Sequence, residues 1–219
     1  MADINMQVIP VINVNSFAEL KKKVRLIEPI IDPARGGFGW VQLDVADGTF
    51  TKNTIWHNAI DLLGFETTLM LEVHLMLADI ETRVDDWLIA PIKRVIFHLE
   101  TAKDPYLVIE KCRKAGISVG IAIGPNTDWA KLMPFCGKVD VFQILAVQPG
   151  LAGQQFIEES LNKITYLKQN CPNTVIEVDG GVNKEVAKRV AEAGADIVNA
   201  ANYIFGAPDI KKAIEELKG

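Results

Sequence analysis

The stretch that decides the fold is Val41-Gln42-Leu43-Asp44-Val45-Ala46-Asp47-Gly48. Apolar and polar residues alternate from Val41 to Asp44, as they do along a β-strand whose two faces differ. Asp47-Gly48 is a typical turn signal that ends the strand. Asp44 is therefore predicted at the carboxyl end of a strand, where a buried carboxylate needs a partner. Taken alone, it fits an ordinary turn or helix-cap aspartate about as well.

Two other stretches place a polar side chain at the same point of a predicted strand. Leu71-Glu72-Val73-His74-Leu75-Met76 ends a strand near His74, and Thr174-Val175-Ile176-Glu177-Val178-Asp179-Gly180-Gly181 ends one at Asp179. His74 alone would be read as a core histidine with satisfied hydrogen bonds. Because the strand-end position recurs three times, these side chains predict one shared site.

Short apolar segments alternate with helical patterns along the whole chain, which predicts βα units around a parallel sheet. Eight units in about 220 residues is the size of a small (β/α)8 TIM barrel, and we expect residues 1–219 to form a single domain. A doubly wound open sheet usually carries a Gly-rich turn after its first strand, whereas this chain has Asn13-Val14-Asn15-Ser16 there. The predicted strands are 8–13, 40–45, 69–75, 94–98, 118–123, 139–145, 175–179 and 196–200.

Composition excludes several classes of function. The net charge of −5 provides no basic field for nucleic acid. No signal-peptide pattern and no apolar run of membrane-spanning length is evident, so we expect a cytoplasmic protein that binds no membrane. The cysteines, Cys112, Cys136 and Cys171, are odd in number and widely spaced, which predicts reduced thiols rather than a metal site or disulfide framework.

The three predicted strand-end groups are two carboxylates and one imidazole. In a barrel the carboxyl ends of all strands meet at one face, and that face carries the active site. Carboxylate oxygen and imidazole nitrogen are suitable first ligands for a divalent metal. Asp44, His74 and Asp179 are therefore candidate metal ligands.

Five ordered blocks of sequence resemble the ribulose-phosphate 3-epimerase family, a metal-dependent (β/α)8 barrel of the ribulose-phosphate-binding type. The resemblance covers essentially the whole chain, and it is the order and spacing of the blocks that make it specific. The blocks are Asp44-Val45-Ala46-Asp47-Gly48-Thr49-Phe50, Val73-His74-Leu75-Met76, Val147-Gln148-Pro149-Gly150 with Gly153-Gln154 and Phe156, Val178-Asp179-Gly180-Gly181-Val182, and Ile204-Phe205-Gly206.

The resemblance implies a reaction and a cofactor. Asp44 and Asp179 look like the two acid/base carboxylates that exchange a proton at C3 of a ketose phosphate, converting ribulose 5-phosphate to xylulose 5-phosphate. Asp44, His74 and Asp179 also look like metal ligands. The family's fourth ligand is a histidine at the position of Gln42, so we expect a weakly held divalent ion, whether zinc, manganese, iron or magnesium.

The resemblance also implies a binding site for the phosphorylated ketose. The phosphate would be held by backbone N–H groups in the loops after strands six to eight, and glycine there lets the backbone approach closely. His74 would contact the sugar. Asn13 would take over the role of a serine that the family carries two residues earlier in strand one. The candidate phosphate-binding residues are Gly150, Gly153, Gly180, Gly181, Ala201 and Asn202.

Three departures from the family pattern keep other functions open. Val11 replaces the strand-one serine, Gln42 replaces the histidine ligand, and Ala201-Asn202 replaces the Gly-Ser after strand eight. One alternative is a sugar-phosphate lyase of a related barrel, although strand three lacks the lysine of the Asp-x-Lys-x-x-Asp run that related decarboxylases carry. Another is a non-catalytic sugar-phosphate-binding homologue. The sugar's carbon count, pentose or hexose, and a homo-oligomeric state stay open.

Overall fold

The computed structural model describes residues 6–36, 39–150 and 153–218. Within these residues eight parallel strands follow one another in sequence order and close into a barrel, β1 to β8. The predicted (β/α)8 TIM barrel is therefore confirmed, and each predicted strand end lies within two residues of the observed one. The strands are β1 Gln7–Ile12, β2 Trp40–Ala46, β3 Met70–Met76, β4 Ile92–His98, β5 Ser118–Ile123, β6 Val141–Leu145, β7 Val175–Asp179 and β8 Ile197–Ala200.

Helical segments connect the strands, and several of them are single turns rather than full helices. The α-helices are α1 Phe17–Ile31, α2 Ile80–Arg83, α3 Pro105–Lys114, α4 Ser160–Asn170, α5 Lys184–Ala193, α6 Asn202–Phe205 and α7 Ile210–Lys218. Among the described residues, five further turns are 3₁₀-helical, at Pro33–Arg35, Ala59–Leu62, Val84–Trp87, Leu99–Thr101 and Trp129–Phe135.

The chain packs as two compact units, one formed by Val11–Gly120 and one by Met1–Pro10 with Ile121–Gly219. Each unit is described by itself. The prediction that residues 1–219 form a single domain stays a prediction.

In the unit Val11–Gly120, strand register decides which side chains become neighbours. β2 and β3 pair in parallel with Gln42 opposite Glu72 and Asp44 opposite His74. β1 pairs with β2 so that Val11 stands opposite Gln42. Because side chains alternate between the two faces of a strand, Gln42 and Asp44 point to the same side. The register thus brings the predicted ligands of β2 and β3 to one level.

Helix α1 shows how the outer layer of this unit is held. Its buried residues recur at helical spacing, so that one apolar stripe faces the strands; they are Leu20, Val24, Ile27 and Ile31. Ser16 caps the helix by accepting a hydrogen bond from the N–H of Glu19 across 3.3 Å, which satisfies one of the amides that a helix start leaves unpaired.

The second unit contains a buried polar cluster between β6, β7 and β8. Glu177 is fully buried and its Oε1 accepts hydrogen bonds from Gln143 Nε2 at 2.7 Å and Asn199 Nδ2 at 2.6 Å. A buried carboxylate is tolerated only when donors satisfy it. The two amides therefore fix the strand interior below Asp179, which lies two residues beyond Glu177 on the same face of β7.

The predicted state of the cysteines was wrong for two of the three. Cys136 and Cys171 are joined in a disulfide, with their Cα atoms 5.7 Å apart, and Cys112 is a buried free thiol. The pair is separated by 35 residues, and only the packing of the segment after Phe135 beside the end of α4 brings the two together. Spacing in the sequence carries no sign of this proximity.

In the three described ranges, none of the helices combines the length and the apolar character needed to cross a bilayer.

Candidate metal centre and active site

Asp44 lies at the end of β2 with both carboxylate oxygens hydrogen-bonded. Oδ1 accepts from Gln42 Nε2 and Oδ2 accepts from Asn13 Nδ2, each across 2.9 Å. Gln42 is fully buried, and the side chain of Asp44 is only 11% exposed. Asn13 follows β1 and reaches Asp44, whereas Val11 is buried beside it in the strand. The two amides therefore hold this carboxylate in one orientation.

His74 lies beside Asp44 at the level set by the strand register. Its Nδ1 is 3.3 Å from Oδ1 of Asp44, and its ring is only 1% exposed. Its other ring nitrogen, Nε2, lies 2.9 Å from Nε2 of His98. The imidazole is thus held from both sides, with Nδ1 facing the carboxylate.

His98 ends β4 and continues this chain of contacts. Its Nδ1 lies 3.2 Å from Oε2 of Glu100, and its ring stacks at a tilt against Phe50 with centroids 4.8 Å apart. Burial is the largest influence on His98 and lowers its pKa below the ordinary value, although the hydrogen bond to Glu100 acts in the opposite direction. His98 and Glu100 were not predicted as part of the site. The available signal was that His98, like Asp44 and His74, lies within the last three residues of a strand.

Asp179 ends β7 in the second unit and is the third predicted ligand. Asp44, His74 and Asp179 are all buried, and within the unit Val11–Gly120 the Nδ1 of His74 lies 3.3 Å from Oδ1 of Asp44. Two carboxylates neutralise a divalent charge, and an imidazole adds a borderline donor. The donor set therefore fits a divalent metal. Gln42 contacts Asp44, because its amide nitrogen donates a hydrogen bond to the carboxylate.

The loops after β6, β7 and β8 are the predicted phosphate-binding region. Gly181 has φ +68°, and a Cβ at this position would fall against the backbone nitrogen of Phe156. The backbone after β7 therefore approaches the segment after β6 closely, and only glycine permits it. Gly180, next to it, packs against Val147.

The loop after β6 also meets the start of α6. A Cβ on Gly153 would lie 2.8 Å from Nδ2 of Asn202, so this glycine sits directly beside the first residue of the helix. Gly150 precedes the gap in the described chain and has φ +119°, and Leu151 and Ala152 lie outside the described residues. Ala201 accepts the hydrogen bond from the N–H of Phe205 at 2.9 Å. Gly153, Gly180 and Gly181 therefore lie where neighbouring segments of this unit approach each other closely.

The loop after β2 is fixed by Asp47. Its Oδ1 accepts from the N–H and the hydroxyl of Thr49 at 3.0 and 2.6 Å, and its Oδ2 accepts from Arg83 at 2.8 Å. Burial alone would raise the pKa of Asp47, but these hydrogen bonds outweigh it and hold the pKa below its ordinary value. Thr49 in turn accepts from the N–H of Ala78 at 2.9 Å. The loop is thereby tied to the segment after β3.

Solved structures of several enzymes share this fold. A 3-hexulose-6-phosphate synthase superimposes with a TM-score of 0.66 at 15% identity, covering 97% of this chain and 98% of that one. An orotidine 5′-phosphate decarboxylase from Pyrococcus horikoshii superimposes with a TM-score of 0.63 at 14% identity, covering 96% and 97%. At such low identity the similarity establishes the barrel architecture alone.

Sequence comparison is more specific. The chloroplastic ribulose-5-phosphate-3-epimerase of Arabidopsis thaliana is 35% identical over 93% of this chain and 73% of its own length. The ribulose-phosphate 3-epimerase of Bacillus subtilis is 31% identical over 98% of this chain and 99% of its own. The family model described as the ribulose-phosphate 3 epimerase family matches residues 7–205. With that match spanning nearly all of the barrel, the chain belongs to the ribulose-phosphate 3-epimerase family.

Proposed function

We propose that the protein interconverts ribulose 5-phosphate and xylulose 5-phosphate by inverting the configuration at C3. The observation that carries this proposal is the buried pair of Asp44 and His74, 3.3 Å apart near the ends of adjacent strands. Asp179 is the buried carboxylate that ends β7 in the other unit. The relatives from Arabidopsis thaliana and Bacillus subtilis are both named for this activity.

Asp44 and Asp179 are the proposed acid/base pair. Inversion requires one group to remove the C3 proton from one face and another group to return a proton to the opposite face. The electron pair of the broken C3–H bond is held meanwhile in a planar enediolate, and the second proton transfer consumes it. No atom is gained or lost overall. A pair of carboxylates suits this chemistry, because general acid–base catalysis requires proton donors and acceptors positioned at the reacting atom.

The residues present fit a divalent metal, which would be held by Asp44, His74 and Asp179. When bound, such a cation supplies Lewis-acid stabilisation of the negative charge that develops on the substrate oxygens. The chain's own contribution is orientation. Asn13 and Gln42 hold both oxygens of Asp44, so the carboxylate reaches the substrate in one rotamer, and its alignment costs little at the moment of proton transfer.

The phosphate of the ketose is proposed to bind the adjoining loops after β6, β7 and β8. The close approach of Gly181 to Phe156 and of Gly153 to Asn202 supports this assignment, because exposed backbone in glycine-rich turns forms anion-binding concavities. The candidate contacts are Gly150, Gly153, Gly180, Gly181, Ala201 and Asn202.

The test is a progress curve of ribulose 5-phosphate conversion. The protein is first freed of metal with a chelator and is then assayed alone and after adding Zn²⁺, Mn²⁺, Fe²⁺ or Mg²⁺. We expect xylulose 5-phosphate to form and, in D₂O, deuterium to enter at C3. Cleavage of the sugar would instead indicate a lyase. Equal turnover in the chelated protein and in the metal-supplemented samples would contradict the metal-dependent mechanism.

A second candidate is a non-catalytic sugar-phosphate-binding protein. The observation that favours it is the hydrogen bond from Gln42 to Asp44, because the resemblance leads us to expect a histidine ligand at that position. Saturable binding of ribulose 5-phosphate with no conversion and no deuterium uptake under any metal condition would establish this alternative.

A further inference from the structure

We propose that His98 and Glu100 are positioning residues that set the tautomer of His74, so that its proton is on Nε2 and its Nδ1 lone pair faces Asp44. The inference rests on the proposed function in one respect, that His74 is a metal ligand. It concerns three residues of the unit Val11–Gly120, connected by two contacts of 2.9 and 3.2 Å.

The direction of each hydrogen bond follows from the chemistry of its partners. An ionised carboxylate only accepts, so the contact between Glu100 Oε2 and His98 requires a proton on Nδ1 of His98. A neutral imidazole carries one proton, which leaves Nε2 of His98 as an acceptor. The two Nε2 atoms are 2.9 Å apart, so His74 must donate from its Nε2. Its Nδ1 is then unprotonated, and this is the form that binds a metal.

The reverse arrangement is disfavoured at the Glu100 end and gains little at the Asp44 end. If His74 donated from Nδ1 to Asp44, its Nε2 would accept from His98, and the lone pair of His98 Nδ1 would face the Glu100 carboxylate at 3.2 Å. A further donor stabilises Asp44 only slightly, because Asn13 and Gln42 already donate to its two oxygens. The proton would also occupy the position that a cation must take. Glu100 therefore sets the direction of the hydrogen bonds at both imidazoles. It lies two residues beyond His98, the ring that it contacts.

Burial of the two imidazoles stabilises this arrangement of protons. The side chains of His98 and His74 are 0% and 1% exposed, so bulk water cannot replace either imidazole, whereas the Glu100 side chain is 24% exposed. Phe50 packs against the ring of His98, and Thr101 donates from its hydroxyl to the His98 carbonyl at 2.9 Å. Partners of this kind behind a ligand histidine typically change metal affinity by about 10- to 100-fold when they are removed.

Two substitutions at one position separate positioning from packing. His98→Phe keeps a ring beside Phe50 but removes the acceptor, whereas His98→Gln keeps an acceptor oxygen for His74. Glu100→Leu removes the group that sets the direction. His57→Phe is the matched control, because His57 is exposed and its Nδ1 contacts the carbonyl of Ile55 at 2.6 Å.

Calorimetric titration of Zn²⁺ and of Mn²⁺ into chelated protein measures the first effect. We expect the affinity to fall about 10- to 100-fold in His98→Phe and Glu100→Leu, and to stay within about threefold of wild type in His98→Gln and His57→Phe. Wild-type affinity in a folded Glu100→Leu variant would overturn the proposal, and that variant decides the matter if His98→Phe does not fold.

The second readout is the tautomer itself, by ¹⁵N NMR of histidine-labelled protein at pH 8. The chain contains three histidines, and His57→Phe assigns one of them. We expect a proton on Nε2 of His74 and on Nδ1 of His98, and a mixture of His74 tautomers in Glu100→Leu. A proton on Nδ1 of His74 in wild type would refute the inference. Failure of wild type to bind either metal would contradict the metal part of the proposed function instead, and the metal-free spectrum would still decide the tautomer.

Discussion

The side-chain amide of Gln42 donates a hydrogen bond to Oδ1 of Asp44 across 2.9 Å. The two residues lie on the same face of β2, and both are buried. An amide that donates to a ligand carboxylate orients it, but it also withdraws part of that oxygen's electron density from a cation. In the family that the chain resembles, a histidine ligand is expected at this position.

Gln42→His is therefore expected to strengthen metal binding and to raise epimerase activity. Imidazole is a better donor to zinc than an amide, and it would add a ligand beside the three already assembled. We expect the affinity for Zn²⁺ to rise about tenfold or more, which corresponds to about 1.4 kcal/mol. Calorimetry on chelated protein measures it, with Gln42→Leu as the control that removes the amide without adding a ligand. Equal gains in both variants would show that relief of the amide contact, and not new ligation, is responsible.

The proposed acid/base carboxylates should be separable from the rest of the site by kinetics at saturating metal. Asp44→Asn and Asp179→Asn should each lower kcat about 10²- to 10⁴-fold, since an amide cannot take up the C3 proton. Asp86→Asn, at an exposed aspartate of the same unit as Asp44, should leave kcat unchanged. Substantial activity in either active-site variant would mean that another group performs that proton transfer.

The barrel and the strand positions of the candidate ligands could be predicted from sequence because both depend on local periodicity. Alternation with period two puts Gln42 and Asp44 on one face, and turn signals put Asp44, His74 and Asp179 at strand ends. Because all carboxyl ends of a parallel barrel share one face, these facts predict a shared site. The parallel register of Asp44 with His74 follows the same logic.

The parts that were missed depend on contacts between distant segments. His98 also ends a strand, but its role lies in the hydrogen bonds to His74 and Glu100, whose directions no periodicity encodes. Cys136 and Cys171 meet only because two connecting segments pack together. Pairwise contacts of this kind are fixed by tertiary packing, and a single sequence carries no signal for them.

The close approach at Gly181 predicts a steric effect on both stability and phosphate binding. Gly181→Ala would place a methyl group against the backbone of Phe156, whereas Gly137→Ala, at a similar φ of +70°, would meet nothing within 4 Å. The left-handed conformation costs both variants about 1–2 kcal/mol. We expect Gly181→Ala to lose about 1–3 kcal/mol more in urea unfolding and to bind ribulose 5-phosphate more weakly. Equal losses of unfolding free energy in the two variants would mean that the loop accommodates the methyl group at position 181 without strain.

The hydrogen bonds of Asp47 predict a stability contribution that depends on pH. Its pKa is held below the ordinary value in the folded protein, so its contribution is present above the unfolded pKa of about 3.9 and is lost as pH falls through the folded pKa. Asp47→Asn should lower the free energy of unfolding by about 1–3 kcal/mol at pH 7. The difference from wild type should hold from pH 7 to pH 5 and shrink below pH 4. A difference that does not change with pH would assign the loss to packing, and Asp86→Asn serves as the exposed control.

The cysteines offer a direct chemical test of the corrected pairing. Burial raises the pKa of the Cys112 thiol to about 12, so its thiolate fraction at pH 8 is on the order of 10⁻⁴, and the side chain is fully buried. We expect no reaction of the native protein with a thiol reagent such as DTNB, one reactive thiol after unfolding in guanidinium without reductant, and three after reduction. Cys112→Ala should show none before reduction. Three thiols in unreduced, unfolded protein would restore the original prediction that Cys136 and Cys171 are reduced, and rapid labelling of the native protein would show that the Cys112 environment opens readily.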